Sequence, residues 1–105
     1  MMNDDLAVKM LSALAQPTRF GVFRLLMRHG PEGLAAGAIA ENLDVPQNTL
    51  SSHLNILAHA GLINSVRRGR SLIYAVEIEA TKIFMNYLVT DCCEGHPEIC
   101  DLKNI

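Results

Sequence analysis

Apolar positions along the chain fall into a series of helical stripes interrupted once by a stretch of β-prone residues. Leu6, Met10, Leu11 and Leu14 recur at helical spacing over Asp5 to Ala15, with acids at the start, where the helix dipole favours them. Pro17 opens a second helix in which Phe20, Phe23, Leu26 and Met27 form the apolar stripe and Arg19, Arg24 and Arg28 take solvated positions; His29-Gly30-Pro31 closes it. After the turn Pro31-Glu32-Gly33, the segment Leu34 to Leu43 directs Ala36, Ile39, Ala40 and Leu43 inward. From Val45 to Leu62, Leu50, Leu54 and Leu57 form the next stripe, with Pro46 suited to a helix start and Gly61 to a left-handed stop. The period then changes. Leu62 to Val66 and Leu72 to Val76 are β-prone runs joined by Arg67-Arg68-Gly69-Arg70-Ser71, a glycine-containing hairpin turn. Glu77 to Thr90 is helical again, and Ile78, Ile83, Phe84, Tyr87, Leu88 and Val89 are more apolar surface than one narrow stripe needs.

The helix over Val45 to Leu62 has an unusual outer face. Asn48, Ser52, Asn55 and His59 follow the 3.6-residue period, and Gln47 and Ser51 flank them near the start. Short amide and hydroxyl groups are the types that pair with base edges in a DNA major groove, although an ordinary polar surface helix fits the same residues when they are taken alone. Small residues at Ala36 and Ala40 would let the preceding helix approach closely, as a helix-turn-helix requires. The three arginines of the hairpin tip would then reach a phosphate backbone or minor groove, as a wing does; without that neighbour they read as a solvated turn.

The 105 residues make one domain, a winged helix-turn-helix over residues 1–105 in which 91–105 form a cysteine-bearing tail. Half the residues are apolar, but only two Tyr and three Phe are aromatic, so the fold class expected is mainly α with a β-hairpin wing. The surplus apolar surface on the last helix, with the first helix, suggests a second copy and a two-fold homodimer. No apolar run reaches the roughly 18 residues of a membrane span, so no membrane partner is expected. The opening Met-Met-Asn-Asp-Asp-Leu is too acidic for a secretion signal, and a cytoplasmic location with reduced thiols follows. A formal charge of −2 argues against a nucleic-acid partner until its distribution is considered. Between Val45 and Val76 there is no Asp or Glu, while Arg67, Arg68 and Arg70 all lie there. Local charge of this kind decides whether phosphate is attracted.

Three landmarks, LSALAQPTRFGVFRLL, NTLSSHLNILAHAGLI and VRRGRSLIYAV, resemble in order the ArsR/SmtB family of winged-helix metal-sensing repressors over roughly Leu11 to Val76. The resemblance implies four helices, a hairpin and a fifth helix in a dimer that binds double-stranded operator DNA at an inverted repeat and leaves it when a metal or metalloid binds. It also implies that Gln47, Asn48, Ser51 and Ser52 lie at base edges, His53 near the DNA backbone, and Arg67, Arg68 and Arg70 in the wing. Two effector sites of that family are missing. The segment Leu34 to Leu43 has no Cys-x-Cys pair, and Ile78 to Val89 has no His.

All three cysteines, Cys92, Cys93 and Cys100, lie in DCCEGHPEIC. In a reducing compartment such clustering suggests a soft-ion site more than a disulfide framework. Adjacent helical residues point about 100° apart, so Cys92 and Cys93 can share an ion only if the helix unwinds, for which Gly95 and Pro97 supply the break. Three thiolates suit As(III) or Sb(III), whose lone pair favours a three-coordinate pyramid, and cysteine trios of this sort in ArsR-like repressors resemble arsenite sites. Other readings stay open: Zn, Cd or Pb held by the three cysteines alone or by the three together with His96, and a thiol-oxidation switch. Asp91, Glu94, Glu98 and Asp101 disfavour thiolate in the free protein, so ion binding should release protons and strengthen as pH rises. A thiol-dependent reductase using Cys92 and Cys93 would be the enzymatic alternative, but the pair lacks Cys-x-x-Cys spacing and no cradle for a catalytic cofactor accompanies it. A protein-interaction module is the remaining one, and the acid-free basic segment argues against it.

Overall fold

The computed structural model describes residues 2–91 and 96–100. The first helix, α1 (Asp4–Leu14), begins where Asn3 Oδ1 accepts the Leu6 N–H at 2.8 Å, and Asp4 and Asp5 occupy its positive end. It buries Ala7, Met10 and Ala13, leaving Val8 and Leu11 exposed at 62% and 44%. The buried stripe is thus small-residue and rotated from the one the leucines suggest, because close packing on α2 favours alanine at the contact. The second helix, α2 (Pro17–His29), is capped by Gln16, whose Oε1 accepts the Arg19 N–H at 2.8 Å. Its core residues are Val22, Phe23 and Leu26. Phe20 and Met27 are exposed instead, and the Arg24 guanidinium stacks 5.3 Å from the Phe20 ring centroid.

A short strand that the sequence pattern does not announce, β1 (Leu34–Ala35), precedes α3 (Ala36–Leu43) and α4 (Gln47–His59). The turn between the helices passes through Asp44 in the left-handed region at φ 55°, with the Asp44 and Val45 N–H groups returning to Glu41 O at 3.3 Å and Ala40 O at 3.0 Å. At the far end of α4, Gly61 at φ 84° closes a second cap of the same kind: its N–H meets Ala58 O at 3.0 Å and that of Leu62 meets Leu57 O at 3.1 Å. Pro46 lies just before α4, and the helix stops where Gly61 makes a left-handed turn the lowest-energy continuation.

The wing consists of β2 (Ile63–Arg68) and β3 (Ser71–Val76), antiparallel, with Arg68 opposite Ser71 and Ile63 opposite Val76. Gly69, at φ 61°, is the first of two loop residues, the position a type II′ hairpin reserves for glycine. β1 adds to the other edge of β3, placing Leu34 beside Tyr74, so the sheet order is β1-β3-β2. The chain continues as α5 (Ile78–Asn86), a π-helical turn over Tyr87–Asp91, and a single-turn helix α6 (Pro97–Cys100).

Leu50, Leu54 and Leu57 of α4 are buried with Val22, Leu26, Ile39 and Leu62 in one core. Each buried leucine contributes roughly 2 kcal/mol of transfer free energy, and together the three fix which side of α4 faces out. The architecture is mainly α with a three-stranded antiparallel sheet, as expected from the periodicity, with β1 as an added strand. Among the described residues, no helix is long and apolar enough to cross a membrane.

Candidate nucleic-acid interface

Because α4 commits its leucines to the core, Gln47, Asn48, Ser51, Ser52, Asn55 and His59 are all exposed on its outer side. Two of these side chains are oriented by the first turn. Asn48 Oδ1 accepts the Thr49 N–H at 2.9 Å, which leaves the amide NH2 as two outward donors. Ser52 Oγ donates to Thr49 O at 3.1 Å, which leaves its lone pairs as acceptors. One donor and one acceptor a turn apart can discriminate between base pairs, whereas a charged face would attract phosphate without regard to sequence.

His53 is not on this face. It is half-buried, and its Nδ1 lies 3.4 Å from Arg19 Nη1. Arg19 in turn donates from Nε to the Ala13 carbonyl at 2.6 Å, at the end of α1. A residue read from the sequence as a solvated arginine is therefore a tie between α1, α2 and α4. Only the three-dimensional meeting of Ala13, Arg19 and His53 reveals it, since they lie far apart in the chain.

At the other side of α4, Gln47 joins Gly37, Arg67, Arg70 and Leu72 around an open cleft of about 380 Å³. Strand alternation divides the arginines. Arg67 pairs with Leu72 on the hairpin face shared with Tyr74, Arg68 pairs with Ser71 on the opposite face, and Arg70 lies in the loop. Gln47 and two guanidinium groups thus edge one cleft, a polar reader beside cations that a phosphate backbone would neutralise. The Leu34 and Tyr74 pairing of β1 with β3 fixes the root of the wing to the start of α3 and so sets the width of this cleft.

The sensing residues expected from the sequence fall at the edge of the described chain. Cys92 and Cys93 lie outside the described residues, and Cys100 closes α6 at the level of its backbone. His96 is exposed. Among the described residues, no group of three or more His, Cys, Asp or Glu side chains converges as a metal site would.

A helix-turn-helix whose second helix shows uncharged polar groups, flanked by a cationic wing, defines a DNA-binding regulator of the winged-helix class. A helix-turn-helix domain model matches residues 14–66. The chain is 32% identical over 76 residues to the HTH-type transcriptional regulator MJ1325 of Methanocaldococcus jannaschii, covering 72% of this chain and 83% of that protein. It is 36% identical over 70 residues to the HTH-type transcriptional repressor SmtB of Mycobacterium tuberculosis, covering 67% of this chain and 50% of that one. Among solved structures it is similar to the homodimeric winged helix-turn-helix DNA-binding domain Mb0332 of Mycobacterium bovis, with TM-score 0.67, 25% identity and 92% of each chain covered. The chain belongs to the ArsR/SmtB family of winged-helix transcriptional regulators, which bind DNA and are not enzymes.

Proposed function

We propose that the protein is a cytoplasmic homodimeric repressor that holds an inverted-repeat operator and releases it when As(III) or Sb(III) engages Cys92, Cys93 and Cys100. The observation that carries the effector is the confinement of every cysteine to one stretch of nine residues, 92–100, in a chain that lacks the family's other ligand sets. Three soft donors suit a soft trivalent centre. Base contacts are assigned to Gln47, Asn48, Ser51 and Ser52, and phosphate contacts to Arg67, Arg68 and Arg70, with His53 positioning α4 through Arg19. Repression is inferred from SmtB, which is named a repressor, and the dimer from Mb0332, which is described as homodimeric. Val8 and Leu11 of α1 and Ile83 of α5, the last 47% exposed, supply apolar surface for that dimer.

Thiolates drawn together around an ion would bear on the π-helical turn directly before Cys92. Within that turn the Tyr87 hydroxyl donates to the Asp4 carboxylate at the start of α1. The end of α1 is bonded through Ala13 to Arg19, and Arg19 lies against His53 of α4. Tension at the tail is thereby passed along α1 to the reading helix. Couplings between two such sites are typically 1–3 kcal/mol, so operator binding should weaken about 5- to 150-fold on saturation.

A gel-shift titration tests this with Cys92→Ser, Cys93→Ser and Cys100→Ser. Each variant should bind the operator as the parent does and fail to release it on arsenite addition. Release by all three would contradict the proposal. A parallel titration with Zn(II), Cd(II) and Pb(II) addresses the second reading, favoured by His96 in the same stretch: release by zinc that His96→Ala abolishes would establish a tetrahedral site of three cysteines and one histidine in place of a three-thiolate one.

A further inference from the structure

A pocket of about 180 Å³ opens between the end of α2, the end of β3 and the first two turns of α5. Met27, Val76, Ile78 and Met85 line it, and Thr81 adds a single hydroxyl. Lys82 also borders it, with its side chain 71% exposed to solvent. Thr81 is only 4% exposed, and its Oγ1 is buried with no hydrogen-bond partner. The acceptor a helical threonine ordinarily uses, the carbonyl four residues back, is Glu77 O, which here accepts the Thr81 N–H at 2.9 Å. Buried hydroxyls are nearly always satisfied, and one left over in a mostly apolar pocket needs a partner from outside the chain.

The pocket also lies apart from the surfaces already assigned. Tyr87 joins the end of α5 to Asp4 of α1, and on a helical wheel Thr81 and Met85 fall on the opposite flank from Tyr87 and Ile83. The operator-facing residues of α4 and the wing loop are not among its walls.

We infer that this pocket binds a neutral monocyclic phenol, its ring between Met27 and Met85 and its hydroxyl on Thr81 Oγ1. The size fits: an apolar cavity of roughly 150 Å³ accommodates benzene. Thioether sulfur makes favourable contacts with aromatic rings, and two methionines supply such contacts on the walls. The phenolic O–H donates to Thr81 Oγ1, or accepts from it, and the rest of the ring meets apolar side chains. A charged ligand is disfavoured by the same apolar lining.

The test is titration of the full chain with phenol and, separately, with benzene, followed by the methionine methyl resonances in NMR. Phenol should shift Met27 and Met85. Thr81→Val, which keeps the shape and removes the hydroxyl, should weaken phenol roughly tenfold and leave benzene unchanged, while Thr81→Ser should retain phenol binding. No shift of either methionine at millimolar phenol, or equal phenol affinity in the parent and Thr81→Val, would overturn the assignment. An equal loss of phenol and benzene in Thr81→Val would do the same, since it would mean that the hydroxyl acts only through packing.

Discussion

Gly33→Ala is expected to lower stability by about 3 kcal/mol and to weaken DNA binding with it, combining left-handed backbone strain with steric overpacking. Gly33 sits at φ 68°, and a Cβ there would lie 2.3 Å from Tyr74 O and 2.9 Å from Tyr74 C, both backbone atoms of β3. Neither can move as a side-chain tip would. Relief requires β1 and β3 to part, and their Leu34 and Tyr74 pairing is what fixes the wing to the start of α3. Gly30 and Gly69 provide the internal comparison. They have similar angles, φ 69° and 61°, but nothing lies within 4 Å of where a methyl group would stand, so alanine there should cost only the backbone strain. That strain is about 1–2 kcal/mol. Urea denaturation of the three variants checks the ranking. If Gly33→Ala were no worse than Gly30→Ala, the close approach of the two strands would be wrong.

Arg67→Ala and Arg70→Ala are expected to weaken DNA binding about equally across sequences, each flattening the dependence of log affinity on log salt by about one unit. Both residues line the cleft that Gln47 edges, whereas Arg68 lies on the other face of the hairpin beside Ser71. Arg68→Ala should therefore change the slope less. The double variant Arg67→Ala/Arg70→Ala should lose about two units, because the guanidinium groups would neutralise separate phosphates. Fluorescence anisotropy of a labelled duplex at several salt concentrations gives all four slopes. A slope that Arg68→Ala flattens most would reverse the assignment of hairpin faces.

Much of this interface is legible in the sequence, for identifiable reasons. The leucines at 50, 54 and 57 sit at a spacing only a helix can bury on one side, so the opposite face follows directly, and it is exposed as expected. The hairpin is signalled by a change of period and by Gly69 between two β-prone runs, and both its strands form. β1 escapes notice because two residues cannot display an alternation. The pattern places the stripe of α2 too far toward Phe20 and Met27, because large apolar residues outweigh Val22 along the chain, while the helix packs through whichever residues its neighbours reach. The tie from Ala13 through Arg19 to His53 joins residues remote in sequence, and no local spacing encodes it. The orphan hydroxyl of Thr81 is equally invisible along the chain, since threonine in a helix normally finds a nearby carbonyl.

The central claim is that the outer face of α4 reads DNA and the wing grips it. Selection of bound duplexes from a random pool by the intact protein, followed by sequencing, tests it most directly. The account predicts enrichment of a two-fold repeat whose half-sites are centred about 34–36 Å, one helical turn, or a multiple of that apart, and loss of that enrichment in Asn48→Ala/Ser52→Ala with retention of salt-sensitive binding. An unenriched pool from the parent, or the same repeat selected by the double variant, would contradict it.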